Sequence, residues 1–292
     1  MISNNETQAA TTRGALEGLQ SFVVLNNGRQ MPLLGLGVYA MEPGLETENA
    51  VLCALKAGYR HIDTATSYNN EESVGSAIRK SGIPRDQIFV TTKLTEDDQG
   101  YESAIAACEL SLRKMGLDYV DLYLIHAPHY GPELRSTSWK ALETLVSKGK
   151  AKSIGVSNYS VEHLKELLGS NPIIPPVVNQ IEIHPWLTRV ERVAFMQAQN
   201  IVAEAYSPLA QAHKLNDPVL AKIATKYAKS PAQILIRWSL QKGYVVIPKS
   251  SNKERIEQNA DVFDFDLAEG DIAALDGLNE DYVTEWDPSV AP

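Results

Sequence analysis

Short apolar runs, each followed by a helical run, recur along this chain roughly every 30 residues. Strands are predicted over 34–39, 61–63, 88–93, 120–126, 153–157, 177–182, 201–206 and 244–249. Helices are predicted over 48–57, 70–81, 101–115, 137–148, 161–168, 189–199, 217–228, 231–242, 252–260 and 268–277. Strands this apolar at both alternating positions suit a parallel sheet covered on both faces. A doubly wound sheet competes, but eight repeating units and no glycine-rich dinucleotide fingerprint favour an α/β fold closed as a (β/α)8 TIM barrel. Phe22 to Pro32, turning at Asn26-Asn27-Gly28, reads as a β-hairpin that closes the bottom of such a barrel. No break in composition divides 21–292, which is read as a single domain after a flexible N-terminal arm, 1–20. An irregular C-terminal tail ending in Trp286-Asp287-Pro288 is expected near the active-site mouth.

Bulk properties narrow the function. A net charge of −9 leaves no broad basic face for nucleic acid, so an anionic ligand must meet local Lys or Arg. No run of about 18 apolar residues predicts a membrane span. The N-terminal stretch has no signal-peptide core, and Cys53 and Cys108 have neither metal spacing nor an inferable pairing. These features suggest a cytoplasmic chain, and the lack of an obvious assembly segment suggests a monomer.

Strand ends of a barrel converge on one face, which collects Asp63, Lys93, His126, Ser157, Asn158, Gln180, Glu182, Tyr206, Ser207, Lys249 and Ser250, with Tyr68 on the loop after the second strand. Gly37 and Val38, at the end of the first strand, are where backbone can approach a ligand. An Asp, a Tyr, a Lys and a His together suggest proton delivery. A free phenol, at a pKa of about 10, is a poor acid at neutral pH. A buried Lys93 held charged by Asp63 is expected to lower that value, with His126 orienting a carbonyl beside Tyr68. Electrons must come from elsewhere, and an organic hydride donor is the natural complement. His126 with His129 could suggest a metal pair, but no third ligand shares their spacing. His61 and His163 read as incidental and His184 as structural.

G-Y-R-H-I-D-T-A-T-S-Y, T-T-K-L, Y-L-I-H-A-P, I-G-V-S-N-Y, N-Q-I-E-I-H-P, Y-S-P-L and I-P-K-S-S-N-K-E-R-I resemble, in order, the motifs of the aldo-keto reductases. The resemblance implies a (β/α)8 barrel that reduces an aldehyde or ketone with NADPH. It implies Tyr68 as the acid, Lys93 and Asp63 as its tuning pair, and His126 as the group that positions the carbonyl. For the cofactor it implies Tyr206 against the nicotinamide, and Ser157, Asn158 and Gln180 at its carboxamide. Ser207, Leu209 and Gln211 would follow the pyrophosphate. Lys249, Ser250, Ser251, Asn252 and Arg255 would meet the 2′-phosphate, with Gln258 and Asn259 at the adenine. Lys249 and Arg255 bracket a helix start, where free N–H groups already favour an anion, although such residues alone are more often solvated helix-end charges.

Departures from the family pattern concern the substrate. Tyr39, Thr95 and Ala127 stand where larger aromatics are common, and the loops after His126 and Leu209 are short. A wider pocket follows, similar to microbial carbonyl reductases of α-dicarbonyls and keto esters. Trp286 on the tail either closes one wall of that pocket or simply anchors the C-terminus. An NADPH-binding sensor subunit on the same barrel is the alternative, and a metal hydrolase a third. Intact Asp63, Tyr68, Lys93 and His126 disfavour the sensor, and ligand spacing disfavours the hydrolase.

Overall fold

The computed structural model describes residues 16–284 together with 287, 290 and 291. A two-stranded antiparallel hairpin, β1 (Phe22–Val24) and β2 (Gln30–Pro32), precedes eight parallel strands. These are β3 (Leu36–Gly37), β4 (His61–Asp63), β5 (Phe89–Leu94), β6 (Val120–Ile125), β7 (Ala151–Ser157), β8 (Val178–Glu182), β9 (Val202–Tyr206) and β10 (Val245–Val246). Each strand pairs with its neighbours in sequence. The ring closes where Val246 N donates to Leu33 O at 2.8 Å and Gly35 N to Val246 O at 2.9 Å. The expected (β/α)8 barrel is therefore present.

Among the described residues ten helices cover it: α1 (Leu45–Ala57), α2 (Glu71–Ser81), α3 (Tyr101–Met115), α4 (Pro132–Ser147), α5 (Val161–Gly169), α6 (Val190–Ala198), α7 (Pro218–Tyr227), α8 (Pro231–Lys242), α9 (Lys253–Ala260) and α10 (Glu269–Asp276). Boundaries differ from expectation where local chemistry intervenes. Helix α4 begins at Pro132, five residues before the predicted start at 137, because a proline at a first helical position is pre-set in φ and needs no N–H partner. The last strand, predicted over 244–249, is regular only at Val245–Val246, since Pro248 offers no N–H to the ladder. Gly37 N still donates to Pro248 O at 3.2 Å, so the seam continues by single contacts. His163 is not incidental: with Ser160 it forms a reciprocal capping box at the start of α5.

The hairpin seals the end of the barrel where strands begin. Asn26 Nδ2 donates to Pro176 O at 2.9 Å, just before β8, and Asn27 Nδ2 to Ser153 Oγ at 3.0 Å, early in β7. Met31 is fully buried beneath. Of the expected N-terminal arm, residues 1–15 lie outside the described residues. Leu16 and Leu19 pack against the core, and Gln20 Nε2 donates to Gly58 O at 3.3 Å. Among the described residues no helix is long and apolar enough to cross a membrane.

The crossing of α2 over α3 depends on a missing side chain. A β-carbon on Gly75 would lie 1.9 Å from Met115 O. That carbonyl ends α3 and accepts from Arg79 Nη1. Relief would require backbone movement, which costs more than a rotamer change. Gly75→Ala is expected to destabilise the fold by about 2–3 kcal/mol in urea unfolding. A loss under about 0.5 kcal/mol, the range of neutral surface changes, would show that the two helices are not so tightly seated.

Candidate active site

Alternation along each strand decides which side chains enter the barrel. On β4 His61 and Asp63 point inward; on β5 Thr91 and Lys93; on β8 Gln180 and Glu182; on β9 Glu204 and Tyr206. A polar column therefore runs through this interior beside Leu122 and Leu124 of β6, whereas barrels of this kind are usually filled by branched aliphatics. Lys93 is fully buried. Its Nζ donates to Asp63 Oδ1 at 2.6 Å, to Thr64 O at 2.9 Å and to Tyr68 Oη at 3.3 Å. The remaining oxygen of Asp63, Oδ2, accepts from Gln180 Nε2 at 2.8 Å.

Tyr68 sits in a short 3-10 turn, Thr66–Tyr68, that is tied down on every side. Thr66 Oγ1 donates to Lys93 O at 2.9 Å and Thr64 Oγ1 to Asn70 Oδ1 at 2.8 Å. Asn70, at the N-cap position of α2, makes no capping bond. Its Nδ2 turns inward instead, donating to Val38 O at 2.9 Å and Met41 O at 3.3 Å. The next residue, Glu71, accepts from Thr92 Oγ1 at 2.7 Å, which locks the loop to the neighbour of Lys93. The rings of Tyr68 and His126 meet edge to face at 5.7 Å. Ser67 Oγ lies 3.4 Å from His126 Nδ1. The four expected catalytic residues are thus brought together on one rim.

The electrostatics correct one expectation. Burial pushes the Tyr68 phenol up, to about 12; Lys93 pulls it down but does not outweigh the loss of solvation. Burial and the Lys93 charge also hold His126 neutral, down to about 3. Lys93 itself is raised, because the attraction of Asp63 and Tyr68 exceeds its desolvation. At neutral pH the site therefore holds a protonated phenol, a neutral imidazole and an ammonium.

The residues expected to meet a cofactor line the same rim and the adjoining loops. Asn158 has a left-handed φ of 64°. Its Nδ2 donates to His126 O at 3.0 Å and its Oδ1 accepts from Tyr206 Oη at 2.9 Å. Ser157 Oγ donates to Gln180 O at 2.8 Å. Ser207, Ala210, Gln211 and Ala212 all have positive φ, so the loop after β9 turns left-handed just past Leu209. Gln211 Nε2 donates from it to Thr284 Oγ1 at 3.2 Å, which in turn donates to Glu182 Oε1 at 2.6 Å. That link brings the tail over the mouth, as expected. Lys249, Ser251 and Arg255 are exposed around the start of α9, whose first turn is capped by Asn252 Oδ1 accepting from Arg255 N at 2.9 Å. Ser250 and Asn259 are buried there and Gln258 is exposed.

Substrate-side expectations fare unevenly. Tyr39 is 48 % exposed and its ring stands 5.1 Å from that of Tyr68. Thr95 Oγ1 donates to Glu96 Oε2 at 3.1 Å on the next segment of the rim. Ala127, at 1 % exposure, does not line the mouth; its carbonyl accepts from Gln99 Nε2 at 2.9 Å and props the rim from beneath. Trp286 lies outside the described residues. Two interior groups escaped sequence reasoning, His61 and Glu204. Both stand two residues before a collected strand end, so the same alternation that placed Asp63 and Tyr206 would have found them one layer deeper.

A family model, aldo/keto reductase family, matches residues 34–280. The chain belongs to this family. It is 49 % identical over 263 residues to glyoxal reductase of Bacillus subtilis, covering 90 % of this chain and 94 % of the relative. An aldo-keto reductase from a Medee basin deep-sea metagenome library superposes with a TM-score of 0.88 at 46 % identity, over 93 % of this chain and 99 % of that one. The Bombyx mori aldo-keto reductase in complex with NADP does so with a TM-score of 0.84 at 39 % identity, over 90 % and 94 %. This member shares the family's fold from the first barrel strand to the tail.

His61 makes acid stability a measurable property of the polar column. Burial and Lys93 lower its pKa from 6.5 to about 3. Between those values the unfolded chain binds a proton that the native ring refuses, so stability falls as pH drops through that window. His61→Gln should flatten the decline of Tm between pH 6.5 and 4.5 by up to about 5 °C. Scanning calorimetry across that range checks this, and equal slopes for the two proteins would contradict a neutral buried ring.

Proposed function

We propose that this chain is an NADPH-dependent reductase of aldehydes and ketones, in which Tyr68 delivers the proton. One observation carries the reading: Lys93 Nζ stands within 3.3 Å of Tyr68 Oη while held by Asp63 at 2.6 Å. The ammonium favours the phenolate that is left when Tyr68 gives up its proton, so the interaction strengthens as the proton leaves. A phenol at about 12 is acid enough for the task, because the receiving oxygen becomes an alcohol, whose own pKa is close to the value of about 15.7 for water. His126, kept neutral, has Nδ1 3.4 Å from Ser67 Oγ; with the serine hydroxyl donating there, the imidazole keeps Nε2–H to donate to the carbonyl oxygen and orient it.

The chemistry of the remaining residues fits a dinucleotide. Hydroxyl and amide groups of Ser157, Asn158 and Gln180 suit a carboxamide, and the Tyr206 ring offers a stacking face. The left-handed loop with Ser207, Leu209 and Gln211 would follow the pyrophosphate. Exposed Lys249 and Arg255 at the N-terminus of α9 suit a phosphate monoester, with Ser250, Ser251 and Asn252 beside them and Gln258 and Asn259 toward the adenine. Gly37 and Val38 would approach the nicotinamide from the first strand. When bound, NADPH supplies the hydride that the carbonyl carbon accepts. Activated carbonyls, α-dicarbonyls and keto esters, are the substrate class, supported by the likeness to a glyoxal reductase, by Tyr39 and Thr95 where larger aromatics are common, and by the short loop after His126.

Two measurements test the reading. Tyr68→Phe should cut turnover of a dicarbonyl by about 100-fold or more while the NADPH Kd, from fluorescence titration, stays within about twofold. A small effect on rate would remove Tyr68 from its role. Arg255→Ala should raise KM for NADPH about tenfold or more and leave KM for NADH unchanged, the loss of one charge-assisted hydrogen bond. An equal rise for both cofactors would move the 2′-phosphate elsewhere.

A further inference from the structure

Beneath the Asp63–Lys93 pair the barrel holds a second carboxyl. Glu204 on β9 is fully buried. Its Oε2 accepts from Gln180 Nε2 at 3.0 Å, the same nitrogen that donates to Asp63 Oδ2 at 2.8 Å. One amide therefore spends both protons on two carboxyls. The groups facing Glu204 are His61 and Asp63 from β4, Lys93 from β5 and Gln180 from β8, while β10 pairs it with apolar Val245. His61 Nε2 is 3.6 Å from Glu204 Oε1 and 3.2 Å from Thr91 Oγ1. The ring packs so closely on Gly35 that a β-carbon there would lie 2.6 Å from Nδ1.

Charge balance then decides the state of Glu204. Lys93 is the one cation among these groups, and its contact carboxylate is Asp63 at 2.6 Å. Two bridged carboxyls with a single counter-ion share a proton. It rests on Glu204, which has no ammonium in contact, and burial with the Asp63 charge raises that carboxyl to about 8. With the proton on Oε1, Glu204 faces the neutral His61 ring and keeps Oε2 as an acceptor.

We propose that Glu204 is a positioning residue for proton delivery: as a carboxylic acid it holds Gln180, and through it fixes the Asp63 carboxylate on Lys93. The proposal rests on the reductase reading above. When Glu204 ionises, a second negative charge reaches Lys93 and offsets the pull of the ammonium on the Tyr68 phenolate. Tyr68 becomes a weaker acid, and reduction slows without stopping.

The test uses the whole chain with NADPH and methylglyoxal, plus infrared spectra without either. The infrared difference between wild type and Glu204→Gln at pH 7 should contain a carboxylic-acid C=O band from Glu204. Wild-type kcat should step down to a lower plateau as pH rises through about 8, and Glu204→Gln should lack that step. Glu204→Ala should lower kcat about tenfold with KM for NADPH unchanged, and Glu204→Gln should restore most of the loss below pH 7. A carboxylate rather than an acid band, a step that survives in Glu204→Gln, or wild-type kcat in Glu204→Ala would each overturn the proposal. Should Glu204→Ala fail to fold, the infrared band and the pH profile of Glu204→Gln still decide. An acid band in a protein that reduces no carbonyl would instead sink the reductase reading and leave the state of Glu204 established.

Discussion

An ammonium sealed inside a protein must find its solvation in the fold, and Lys93 finds it in Asp63, Thr64 and Tyr68, with Gln180 fixing Asp63 from across the barrel. Desolvating such an ion costs several kcal/mol even after relaxation, and the cost is met only when geometry and extra hydrogen bonds are good. Asp63 supplies the counter-charge at 2.6 Å, Thr64 a carbonyl at 2.9 Å, and Gln180 reaches from β8 to satisfy the other oxygen of Asp63. Because β8 and β4 lie on different sides of the ring, the pair is satisfied only when the barrel has closed. Removing one partner of such a pair leaves a bare buried charge, a loss of about 3–5 kcal/mol. Folding and the proposed proton delivery thus share the same atoms.

The surroundings of the pair differ in stiffness. Below it, the His61 ring packs directly on Gly35, where a β-carbon would lie 2.6 Å from Nδ1. Above it, Tyr68 is bracketed by bonds that join Thr66 and Glu71 to β5 and Asn70 to the loop after β3. The loop after β9 is different in kind. Several non-glycine residues there occupy left-handed φ, each at a cost of about 1 kcal/mol or more, and the tail holds that loop through Gln211 and Thr284. Backbone strain is concentrated beside the residues proposed for the pyrophosphate and is absent from the Tyr68 loop apart from Asn69.

Much of this could be read from the chain itself. The alternation of apolar strand and helix dictates the barrel, and the strand ends in their order bring Asp63, Lys93, His126 and Gln180 to one face. Three things were harder to read. Burial at Tyr68 depends on Tyr39 and the rim packing around it, so counting the neighbouring Lys93 charge gave the wrong direction for the phenol. Gly131-Pro132-Glu133 carried a helix start that the apolar periodicity, beginning only at Trp139, concealed. His61 and Glu204 were visible as residues sharing a face with the strand ends. What makes them matter is the shared amide of Gln180, and a hydrogen bond across the barrel leaves no mark on a linear sequence.

The bracket around Tyr68 has a consequence for how such a scaffold diversifies. The loops that border the mouth, after β5 and β6, meet the Tyr68 turn through ring contacts and the Ser67–His126 contact, not through the bonds of Thr66, Asn70 and Glu71 that hold it. Insertions or exchanges in those loops can alter which molecules are admitted while leaving Tyr68 where it stands. Change at the entrance is thereby separated from the Asp63–Lys93–Tyr68 cluster, whose geometry is set by β4, β5 and β8.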